Sequence, residues 1–298
     1  MKKKKVKFAN SDYLYSSLPN TRKDAFKDVY KHNFLTILKC GVALLVSIIP
    51  VLLFSIFMDV GRLGMTPAHY SEEDLAVTLL LWHVVRGIGF TLLLVIVVIA
   101  ISGIMRVLKL VIYQEGVDFF YDFKVGIKES FSSMLVFYLI YMVIYNATNY
   151  LRLIFLSQYV GLVVLLIFFL LFTPMLMWAY LSITIYQTKF WEYTKNSLFF
   201  FMKTIGFSYL FILAIIWPFI LSSLVADGLI SIPISPFYIA TKNVIFIVMS
   251  LFYYPCVIII TLLFASSKFD KYINKDNYPE IYRKGLYEPK KEINSKLK

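Results

Sequence analysis

Long runs of apolar residues, separated by short clusters of charge, divide this chain. Six runs approach the length of about 20 residues that a bilayer-crossing helix requires. They lie at roughly 40–58, 87–107, 133–150, 160–182, 204–224 and 243–265. The second can begin as early as Leu75, and the third ends among Asn146, Asn149 and Arg152. Within each run the apolar positions are continuous, whereas strands of a membrane barrel would alternate in segments of about 10 residues. The pattern predicts an all-α, polytopic membrane protein built as a six-helix bundle. Its expected parts are a basic segment 1–39 with an amphipathic helix, a transmembrane domain 40–265, and a basic tail 266–298 that mixes both signs and reads as a poorly ordered or docking extension.

A second pattern lies ahead of the runs. FKDVYKHNF at 26–34 and FKVGIKESF at 123–131 share Phe, Lys, Lys and Phe at the same offsets. At 100° per residue, Phe26, Val29, Tyr30, Phe34 and Ile37 share a face, with Lys27 and Lys31 beside it. In the second stretch Phe119, Phe120, Phe123, Ile127, Phe131 and Met134 share a face, with Lys124 and Lys128 on the same flank. This is the signature of an amphipathic helix in the membrane interface, with Phe toward lipid and Lys toward phosphate. KFWEYTKNSLFFFMK, 189–203, is a weaker third copy, because its aromatic residues run nearly all round the helix. The expected unit is an interfacial helix, a span, an outer loop and a second span, present three times. Phe26, Lys27, Lys31, Phe34, Phe123, Lys124, Lys128 and Phe131 are the candidate contacts to lipid or to a partner protein.

Composition supports the membrane reading. Hydrophobic residues are 59% of the chain and charged residues 16%, well under the roughly 25% of soluble domains. Segments 1–39, 106–132, 186–203 and 266–298 hold ten, four, three and nine of the 30 Lys and Arg. With six spans these segments fall on one side, which the positive-inside rule makes cytoplasmic, together with both termini. The net charge of +12 then suits anionic lipid headgroups and needs no nucleic acid as partner. The start MKKKKVKF lacks the early apolar region of a secretory signal. Cys40 and Cys256 read as small buried residues, not as a disulfide framework.

Polar residues in or near a span are candidates for function. His83 and Arg86 share a helix face near the outer end of the second run. Tyr145, Asn146, Asn149 and Arg152 do so in the third, following Tyr138 and Tyr141. If the two outer ends meet, His83, Arg86, Tyr145, Asn146, Asn149 and Arg152 line an aromatic pocket suited to a sugar or an anion. The bland alternative is snorkelling arginines and interfacial tyrosines. Pro50, Pro174, Pro218 and Pro255 each interrupt a run and predict kinks, which fit either a cavity or a static bundle. Glu72, Glu73 and Asp74 after Ser71 read as a helix start. HExxH, GxSxG, Walker A and GxGxxG patterns are missing, so no catalytic residue, metal or cofactor is predicted and the chain reads as a non-enzyme.

Two stretches also carry a resemblance. RVLKLVIYQEGVDFFYDFKVGIKESFSSM, and later TPMLMWAYLSITIYQTKFWEYTKNSLFFFMKTIG, resemble the two cytoplasmic segments of the YesL-like bacterial membrane proteins, over about 75 to 225. The resemblance implies a bacterial cell-membrane protein associated with carbohydrate ABC importers, touching permease or ATPase subunits. QEGVDFFYDF does not fit the ATPase-docking loop of a permease, so the expectation is an accessory component. The alternative is an autonomous transporter of a sugar or small anion.

Overall fold

The computed structural model describes residues 18–63, 72–155, 158–229 and 243–287. The described residues fold as helices joined by short turns, with no strand among them. In chain order the helices are α1 (Arg22–His32), α2 (Phe34–Leu63), α3 (Glu72–Ile112), α4 (Phe119–Phe155), α5 (Gln158–Ile185), α6 (Phe190–Lys203) and α7 (Ile205–Leu229), then α8 (Asn243–Asn277). Five helices are long and apolar enough to cross a membrane, and α6 with α7, bent by 99°, makes a sixth candidate. Helices are the natural form for such runs, because a helix satisfies its own backbone polar groups in lipid. Phe57 is 72% exposed, Leu92 66% and Val143 66%. Apolar exposure of this extent along helix after helix is surface made for hydrocarbon. The chain is a multi-pass α-helical membrane protein.

Successive helices run up and down, so the bundle has two ends. One end gathers α1, the C-terminal ends of α3, α5 and α8, the N-terminal end of α4, and α6. This is the basic end. Its core is aromatic. Trp178 of α5 stacks on Phe200 of α6 at 5.0 Å, and Phe200 meets Phe269 of α8 edge-on at 4.6 Å. All three are fully buried. Together with Tyr193 and Phe201, Phe200 gives α6 an inward face. That face holds α6 against the bundle, so the chain must turn sharply to enter α7. The turn falls at Thr204, whose φ of −135° leaves the helix and whose Oγ1 donates to the Phe200 carbonyl at 2.6 Å.

The amphipathic segments differ from the expected repeat in one respect. The first and third are separate helices, α1 and α6. The second is not: 119–134 continues without a break into its span as α4, a helix of 37 residues, about 55 Å long at 1.5 Å per residue. Asn33, at φ −121° and ψ 23°, ends α1, whereas FKVGIKESF has no residue that stops a helix. Phe34 is therefore the first residue of α2, while Phe131 lies in mid-helix, and the matched letters occupy unmatched places.

Three of the prolines interrupt helices that stay continuous: Pro50 in α2, Pro174 in α5 and Pro218 in α7. Pro255 leaves a clearer mark. It has no N–H to give the Leu251 carbonyl four residues earlier, and the chain widens there into a π-helical turn, Met249–Tyr253. Gly41 of α2 lies against that carbonyl. A Cβ at Gly41 would stand 2.0 Å from the Leu251 oxygen. The missing side chain thus brings α2 onto the backbone of α8, a close approach typical of small residues between membrane helices.

Candidate functional site

At the end of the bundle opposite the basic end, the side chains singled out by sequence pack the helices together. Arg86 turns toward α2, where its guanidinium lies 3.7 Å from Asp59 and over the rings of Trp82 at 4.8 Å and Phe90 at 5.6 Å. Trp82 donates its indole N–H to the Met58 carbonyl at 3.2 Å, and His83 meets the Trp82 ring edge-on. Asn146 turns toward a different face of α3: its Nδ2 donates to Thr91 Oγ1 at 2.9 Å. Tyr150 and Tyr138 reach the α3 carbonyls of Val84 and Thr91 at 3.3 and 2.8 Å. Tyr145 packs on Phe168 and Phe169 of α5. Asn149 is half-buried, and the side chain of Arg152 lies outside the described residues, as does Ser71. Arg86 thus serves the α2–α3 contact, and Asn146 the α3–α4 contact. Among the described residues, Asn146 Oδ1 is buried and accepts no hydrogen bond.

The candidate contact residues divide in two. Phe26, Phe123 and Phe131 pack against the chain's own core. Phe123 fills the space that Gly103 of α3 leaves, its ring edge 2.6 Å from where a Cβ on that glycine would stand. Lys27, Lys31, Lys124, Lys128 and Phe34 lie at the surface, fully or partly exposed. Lipid-facing surface instead includes Phe120, 72% exposed, at the rim of an apolar groove of about 630 Å³ between α2, α3 and the start of α4. Lys39 sits at that rim, 5.9 Å from the Phe119 ring.

The basic end holds a polar network that joins the two termini of the described chain. Asp270 of α8 lies in a second π-helical turn, Asp270–Asn274, which, as π-bulges do, resets the faces of the residues after it. Its carboxylate accepts from Arg22 of α1 at 2.8 Å, from Asn274 Nδ2 at 2.8 Å and from the Arg283 backbone at 3.2 Å. Arg22 also donates to the Lys284 carbonyl at 2.9 Å. Tyr186, just past α5, donates to Asn274 Oδ1, and the Tyr287 N–H reaches the Pro19 carbonyl at 3.0 Å. Lys284 pairs with Glu115. Burial pushes the Tyr113 phenol up to about 12 and raises that of Tyr186, so both stay protonated near neutral pH. Residues 266–287 are therefore not a loose tail. α8 runs on to Asn277, and the turns after it fold back onto α1 and α3, with Leu286 buried.

Beside this clasp, α3, α4 and the α5–α6 connection enclose a polar cleft of about 370 Å³. Lys109, Glu129, Ser130, Ser133, Thr184 and Thr188 contribute to its lining. Neither feature stood out in the sequence. Their signals were faint: Lys109 just past the end of an apolar run, three residues after Arg106, and Asp270 and Asn274 four apart in a stretch that reads as tail. Among the described residues no three His, Cys, Asp or Glu are grouped as for a metal ion. Cys40 is buried in the core, and Cys256 Sγ lies 3.3 Å from the Tyr30 hydroxyl.

Comparison of the chain with models of known families, with curated proteins and with solved structures finds no match.

Proposed function

We propose that this chain is a non-enzymatic, multi-pass protein of the bacterial cell membrane that serves as an accessory component of a carbohydrate ABC import system. Both termini are cytoplasmic, and the basic end is the docking face. The observation that carries this reading is the clasp. Arg22, Asp270, Asn274 and Tyr186 tie α1 and the chain beyond α8 to the bundle, so Lys27 and Lys31 stand on a fixed platform, while Lys124 and Lys128 are carried by the unbroken α4. A pre-ordered basic surface loses little entropy when a partner binds. The carbohydrate importer itself comes from the YesL-like resemblance over 75–225. The test is gentle-detergent purification of the tagged protein from its own membranes, followed by mass spectrometry. A permease and an ATPase in stoichiometric amount are expected. Recovery of the chain with lipid alone contradicts the proposal.

One observation favours a second reading, autonomous transport of a sugar or small anion: the buried, unpartnered Asn146 Oδ1. On that reading Arg86→Ala and Asn146→Ala abolish uptake in protein that still inserts. Unchanged uptake in both removes it.

A further inference from the structure

We infer that the cleft at the basic end is a binding site for a phosphate-bearing polyol. α3, α4, α5, the α5–α6 connection and α6 all reach it, and each brings polar groups. Lys109 of α3 donates one of its three N–H groups to the Thr184 carbonyl at 2.7 Å. A carbonyl carries no formal charge, and it leaves the ammonium two donors to give. Glu129 of α4 is paired with Arg106 through one carboxylate oxygen. Arg106, Lys109 and Glu129 together carry one net positive charge, which an oxyanion neutralises.

The remaining wall suits hydroxyl groups. Ser130 and Ser133 lie about one turn apart on α4, and Thr188 Oγ1 is buried without a hydrogen-bond partner, a state that costs free energy until a ligand or water fills it. The second carboxylate oxygen of Glu129 can accept from a hydroxyl and would repel a second anion, so the wall favours one charged group and several neutral ones. The loop that carries Gln187 and Thr188 is pinned: Tyr193 donates to the Tyr186 carbonyl at 3.0 Å and accepts the Thr188 N–H at 2.9 Å. The volume of about 370 Å³ lies in the range of small-molecule sites. None of these features requires the accessory role.

The same chemistry reaches the cleft from two sources, a soluble sugar or glycerol phosphate and a phosphoglycerol lipid headgroup. The test uses the full chain in detergent and in nanodiscs, with glycerol 3-phosphate as soluble probe and phosphatidylglycerol as lipid probe. Calorimetry and thermal melting read the first, and native mass spectrometry the second. Binding of glycerol 3-phosphate, weakened about tenfold or more in Lys109→Gln by loss of a charge-assisted contact, assigns the site to a soluble ligand. Retention of phosphatidylglycerol over phosphatidylcholine, lost in the same variant, assigns it to lipid. Ser133→Leu fills the cleft without touching Lys109, and must weaken the same probe even if Lys109→Gln fails to fold. Absence of binding by both probes overturns the inference, as does binding that Ser133→Leu leaves unchanged.

Discussion

Two side-chain choices set how closely α2, α3, α4 and α8 approach. Gly41 faces a backbone carbonyl, which cannot swing aside as a side chain does. Gly41→Ala must push α2 away from α8, and overpacking of this kind costs about 1–3 kcal/mol. A thermal melt in detergent checks it, with Gly61→Ala as the control, since a Cβ there has nothing within 4 Å. Gly103 and Phe123 form the complementary case, a large ring in the room left by a missing side chain. Phe123→Ala should cost about 3 kcal/mol or more, whereas Phe120→Ala, on the exposed face, should leave the melting temperature unchanged. Equal effects would mean that both rings face lipid. These contacts were not legible in the chain. Periodicity placed Phe119, Phe123 and Phe131 on one face, but a face is only a direction. Whether lipid or α3 lies there depends on Gly103, about 20 residues earlier.

At the scale of the helix, what was legible is what local physics decides. The continuous apolar runs foretold membrane helices, and SEEDLA foretold the start of α3 near Glu72. Less legible was where helices stop. Asn33 and Thr204 break the chain while nothing in 119–155 does, so two segments that read alike became a separate helix and the beginning of a long one. The persistence of α8 through Asp270 was hidden for a different reason. Charged residues past an apolar run read as solvated, and only the partner Arg22, at the other end of the chain, makes Asp270 a buried group. The pair's two side chains are each 11% exposed, and removing one partner of a buried pair costs about 3–5 kcal/mol. Asp270→Asn should therefore lower stability by about that much and open α1 to limited proteolysis. Arg22→Gln should give the same cleavage pattern, and the double variant less than the sum of both effects. Additive losses would show that the two groups are not coupled.

For the whole molecule, the arrangement assigns different work to the two ends. Polar groups at one end link α2, α3 and α4, while the other end carries the clasp, the polar cleft and surface lysines on a fixed platform. The first of these was the leading candidate from sequence because polar residues in spans are conspicuous. The second is assembled from residues as far apart as Arg22, Lys109, Tyr186 and Asp270, and no local pattern joins them. Docking of an importer subunit on the basic end can be tested by photo-crosslinking. A photoreactive amino acid is placed at Lys27, Lys124 or, as a lipid-facing control, Leu92, and cells of the native host are irradiated. Adducts with a permease or ATPase subunit are expected from Lys27 and Lys124, and lipid adducts alone from Leu92. Lipid adducts alone from all three positions would contradict docking at this end.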